Sequence, residues 1–102
     1  MSLESNIAEL KKELETGERN SEGAYKFNCL TREITEDVVE VQPDEIYVKQ
    51  KIIPLFEKAL DTIKISSAKG SFVRNIEGFV NCVKERIDYL RSYEPILRSV
   101  YS

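Results

Sequence analysis

Apolar residues recur at intervals of three and four along most of this chain, and that spacing constrains its fold more than any other feature. Val73, Ile76, Val80, Val83, Ile87 and Leu90 hold the alternation for more than two heptads, flanked by Phe72 and Phe79. At the helical repeat these positions make one stripe, which predicts a helix over 71–93 with Ser71 as its N-cap. Leu3, Ile7, Leu10 and Leu14 make another and predict a helix over 3–16, ended at Thr16-Gly17. Between them, Gln42-Pro43-Asp44 punctuates the chain, with Asp44 placed to cap a third helix over 44–66. Its apolar residues, from Ile46 and Val48 through Ile52, Ile53, Leu55, Phe56, Ala59 and Leu60 to Ile63, spread over half the circumference, which predicts a central helix with two neighbours. Pro54 falls on its polar side and predicts a kink. Lys49 falls inside the apolar arc, either as an edge lysine whose stem snorkels or as a buried charge at an interface.

Residues 24–42 are ambiguous. Ala24, Phe27, Leu30, Ile34, Val38 and Val41 fit a helical stripe, whereas Tyr25, Phe27 and Cys29 alternate and 34–41 is rich in β-branched residues. The helical spacing persists for eighteen positions without an Asn-Gly or Asp-Gly turn, so helix is the expectation, with a short β-hairpin near residues 25–41 as the alternative. Gly17–Gly23 and Ser66–Ser71 read as connections, and Pro95 should end the last helix near Tyr93, leaving Leu97 and Tyr101 in phase on an appended turn. The expected fold is an all-α, antiparallel three- or four-helix bundle formed by 1–102 as a single domain.

Composition narrows the chemistry. The 102 residues include no histidine and no tryptophan. Without histidine there is no Ser-His or Cys-His nucleophile, no ordinary neutral-pH general base and no imidazole metal ligand. No P-loop, GxGxxG, GxSxG or HExxH pattern occurs. Cys29 and Cys82 are 53 positions apart without metal-ligand spacing, and are expected as buried free thiols, with a Cys29–Cys82 disulfide as the alternative. No apolar run approaches the ~18 residues that span a bilayer, and the acidic first residues lack a signal-peptide core, so no membrane association and a cytoplasmic location are expected.

Charge is distributed unevenly. Residues 1–63 carry eight basic and fourteen acidic side chains, net −6, whereas residues 64–102 carry seven and four, net +3. Glu33, Glu36, Asp37 and Glu40 make an acidic ribbon on the second helix, and no Lys or Arg occurs between Glu33 and Val48. Such a ribbon diverges into solvent and is a poor hard-cation site, so no metal is expected; docking of a basic partner is its functional reading. The last helix interleaves Arg86, Arg91 and Arg98 with Tyr89, Tyr93 and Tyr101, residue types shared by protein interfaces and nucleic-acid stacking surfaces. The acidic ribbon is expected to lie beside these arginines within one bundle, or across two copies. Gly78 falls off the apolar stripe, as a tolerated surface glycine or as part of a second contact surface.

These features predict a non-enzymatic protein–protein interaction module without cofactors, a small adaptor or regulatory subunit that forms a homodimer. An inhibitor presenting the acidic ribbon to a basic groove is a sub-case. Nucleic-acid binding through the Arg/Tyr-rich helix is the alternative, weakened by the acidic balance of the whole chain.

Overall fold

The computed structural model describes residues 2–17, 21–67 and 73–95. Of these, 89% are helical, and no strand occurs among the described residues, so the hairpin alternative for 25–41 is not what forms. Helix α1 spans Leu3–Thr16 and α2 spans Ser21–Val41. A third rod is composite: a short helix α3, Glu45–Tyr47, continues through a π-helical stretch, Val48–Ile52, into α4, Ile53–Ser67. Helix α5 spans Val73–Arg91. The expected cap at Ser71 and the appended turn with Leu97 and Tyr101 lie outside the described residues.

Local chemistry accounts for the visible helix ends. The Ser2 hydroxyl accepts from the Ser5 amide at 3.2 Å and starts α1. Asp44 accepts from the Ile46 amide at 2.8 Å and starts the third rod, as its sequence position predicts. Between α2 and that rod the chain turns at Gln42, whose φ of 56° is the one positive value at a non-glycine among the described residues.

The rod widens into its π-helical stretch just before Pro54. The Ile53 amide bonds to the Val48 carbonyl, five residues back, so one extra residue is taken up ahead of the proline that lacks an N–H. That extra residue rotates everything upstream relative to α4. Val48 is buried above Ile52, whereas Lys49, which an uninterrupted helix would stack under Ile52 and Ile53, faces solvent and pairs with Glu45 at 3.2 Å. Lys49 is thus the edge lysine of the two readings, its charge outside the core of this chain. Ile46 is displaced from its expected core position by the same rotation and is 61% exposed.

The helices pack as a bundle around one core built from α1 (Leu3, Ile7, Leu10), α2 (Phe27, Ile34, Val38), the third rod (Val48, Ile52, Phe56, Ile63) and α5 (Ile76, Val83, Leu90). Each such side chain contributes about 1.5–3 kcal/mol through burial. Cross-helix contacts fix the relative directions. Asn6 meets Asp37 while Glu13 meets Lys26, so α1 and α2 are antiparallel. Tyr25 meets Phe79 while Thr31 meets Arg86, so α2 and α5 run parallel, with the third rod returning between them. Val41, assigned by its spacing to the core stripe, lies beyond the last core turn of α2 and is exposed.

Candidate functional site

Helix α2 uses its faces unequally. Its core stripe, Phe27, Leu30, Ile34 and Val38, is covered by the bundle. On the opposite side Tyr25, Cys29, Arg32, Glu36 and Val39 repeat the same four-three spacing, and of these Tyr25, Arg32, Glu36 and Val39 are exposed. Beside this second stripe, Arg32, Thr35, Glu36 and Val39 join Arg86 of α5 to line a groove of about 260 Å³. Tyr89 is 43% exposed on α5 one turn before Tyr93, and Val39 and Tyr25 are 50% and 58% exposed.

Arg86 is the built element of this groove. Its Nη1 donates to the Asn28 carbonyl at 2.9 Å, the Asn28 side-chain oxygen at 2.8 Å and the Thr31 hydroxyl at 3.0 Å. Thr31 is itself fully buried and held by donating to the Phe27 carbonyl at 2.8 Å. The guanidinium is half-buried, and burial pulls its pKa below the ordinary arginine value, partly offset by Cys82, Cys29 and Glu36 and reinforced by Arg32. All its anchors are neutral. Among the described residues no carboxylate pairs with Arg86, and neither Arg32 nor Glu36 forms an ion pair. A fixed cation with spare donors on Nη2 and Nε, a second arginine and the exposed side chain of Val39 are the parts of a surface that receives a carboxylate together with apolar groups.

The residues singled out from sequence are dispersed by the fold. The acidic ribbon is split between two of the neighbours of α2: Asp37 turns toward α1, where it accepts from Asn6 Nδ2 at 2.7 Å, and Glu36 lines the groove with α5. Glu33 is half-buried and Glu40 exposed. Arg86 reaches α2 without pairing with the ribbon, because its tip stops one to two turns earlier on Asn28 and Thr31. Arg91 faces the third rod instead and pairs with Glu57 at 3.0 Å. Tyr93 is core, its hydroxyl donating to the Pro43 carbonyl. Arg98 and Tyr101 lie outside the described residues. Cys29 and Cys82 are free, as expected, but half-buried. A Cβ added at Gly78 would meet nothing within 4 Å, so this glycine makes no close crossing within the bundle. Arg32, Thr35 and Val39 were not singled out in the sequence, although the seven-residue spacing of Tyr25, Arg32 and Val39 was there to be read.

No group of three or more potential metal ligands converges among the described residues, and none of their helices is long and apolar enough to cross a membrane. No protein-family model matches the chain, and no curated protein or solved structure matches it significantly.

Proposed function

We propose that this chain is a protein-interaction module, a small cytoplasmic adaptor or regulatory subunit, and that it docks protein through the outer groove between α2 and α5. The observation that supports this most is the half-buried Arg86, fixed by three neutral hydrogen bonds, left without a carboxylate and sharing its groove with exposed Val39, with Tyr89 exposed one turn further along α5. Interface centres favour this combination of arginine, tyrosine and apolar surface, since the guanidinium is already ordered before a partner arrives. The module binds and does not catalyse: the groove offers two guanidiniums, one carboxylate and one hydroxyl, with no group suited to transferring protons near neutral pH. Among the described residues of the Arg/Tyr set behind the nucleic-acid reading, Arg91 is engaged by Glu57 and Tyr93 by the core, which weakens that reading.

Site-specific photo-cross-linking in cells of the native host tests this reading. A benzophenone side chain at Val39 or Tyr89 should give protein adducts, self-adducts included, that Arg86→Glu removes. The same group at exposed Lys58, on the third rod, should give few. Equal labelling at all three positions, or none, would overturn the proposal.

A further inference from the structure

Resting on that reading, we infer that the groove's occupant is a second copy of this chain, docked by an antiparallel α2–α2 contact in which Glu36 of each copy enters the Arg32/Arg86 groove of the other. The outward stripe of α2 is self-complementary about a point between Arg32 and Glu36. A two-fold axis there sets Arg32 against Glu36 of the second copy, and the same register sets Cys29 against Val39, each contact made twice, with Tyr25 facing the C-terminal end of the partner's α2. Four-three spacing is what a helix needs to present one continuous seam to another helix, and Tyr25, Cys29, Arg32, Glu36 and Val39 keep it across four turns of α2. The partner copy supplies what the groove lacks. Within one protomer Glu36 forms no ion pair, and Arg86 has donors facing a groove that contains no acid bonded to it. In the paired arrangement the arginines of each copy receive a carboxylate as apolar Val39 and the ring of Tyr25 are covered. The alternative register, shifted by four residues, sets Arg32 against Arg32 and is disfavoured by like charge.

Charge reversal separates this arrangement from any other. The wild-type chain should sediment at twice 11.8 kDa at high micromolar concentration. Arg32→Glu makes the seam doubly acidic and Glu36→Arg makes it doubly basic, so each variant alone should self-associate about 100-fold more weakly. Mixed in equal amounts, the two variants should form a heterodimer tighter than either variant alone, and the double variant R32E/E36R should recover part of the homodimer, short of wild type because an arginine at 36 then faces Arg86 of the other copy. Both positions are exposed, so circular dichroism should be unchanged. A wild-type monomer, single variants that still dimerise, or a mixture no tighter than its components would each overturn the inference. The broader module reading survives a monomeric wild type if Val39 cross-links to a different protein, and fails if Val39 cross-links to nothing.

Discussion

The Tyr93 hydroxyl donates to the main-chain carbonyl of Pro43, fifty positions earlier, and so ties the end of α5 to the corner between α2 and the third rod. The ring is buried with the core, and the bond holds the corner where Gln42 adopts its left-handed conformation. Tyr93→Phe keeps the ring and removes the donor. It should lower stability by about 1 kcal/mol, or about 4–8 °C in Tm, as read by thermal denaturation. Burial chiefly, then the neighbouring Tyr89, Asp44 and Glu45, raise the Tyr93 pKa above the ordinary tyrosine value. The neutral phenol is thus favoured in the fold, and its contribution is complete below the unfolded pKa of about 10 and lost as pH rises through the folded value. The difference in stability between wild type and Tyr93→Phe should therefore shrink on the alkaline side.

Asn6 is 3% exposed, with its amide nitrogen on Asp37 and its amide oxygen buried without a partner. Flipping the amide would set oxygen against carboxylate, so the orphaned oxygen is the lesser cost. Asn6→Asp replaces the donor with a second acid and opposes two carboxylates across the α1–α2 seam. Their mutual repulsion raises the folded pKa, so the variant's deficit should be small at pH 3 and grow as pH rises through the carboxylate range. Chemical denaturation at several pH values measures it; a deficit independent of pH would refute the assignment.

Gly78 interrupts α5 on a face where an added Cβ meets open space. Gly78→Ala should stabilise the protein by about 0.5–1 kcal/mol through helix propensity alone, with the urea midpoint raised and the m-value unchanged.

Arg91 and Glu57 form a 3.0 Å pair between α5 and the third rod, but both side chains are about half exposed. A double-mutant cycle with Arg91→Ala and Glu57→Ala should give a coupling of only about 0.2–1 kcal/mol, falling with added salt. The pair orients two helices more than it holds them together.

The helices themselves were legible because each core stripe keeps three-four spacing and because Asp44 and Gly17 are local signals whose effect does not depend on tertiary context. The rotation of the third rod was not legible, since it depends on how the backbone accommodates Pro54, and spacing alone assigns Ile46 to the core and sets Lys49 inside the apolar arc. The destination of the arginines escaped for a different reason. Arg86 is neutralised by no acid and held by an asparagine and a threonine, so counting opposite charges sent it to the wrong part of α2. The outward stripe of α2 mixes a tyrosine, a thiol, two opposite charges and a valine, and a search for apolar periodicity passes over such a mixture.

The π-helical stretch gives the third rod a tolerance in chain length that the other helices lack. A rod one residue shorter, without exposed Gln50, would close the widened turn to ordinary helical spacing, and Val48 would still stand over Ile52 and Phe56. Keeping the residue while closing the turn would instead drive the Lys49 ammonium toward the core. The bulge thus stores one surplus residue at the surface, and register, more than side-chain identity, keeps that charge in water.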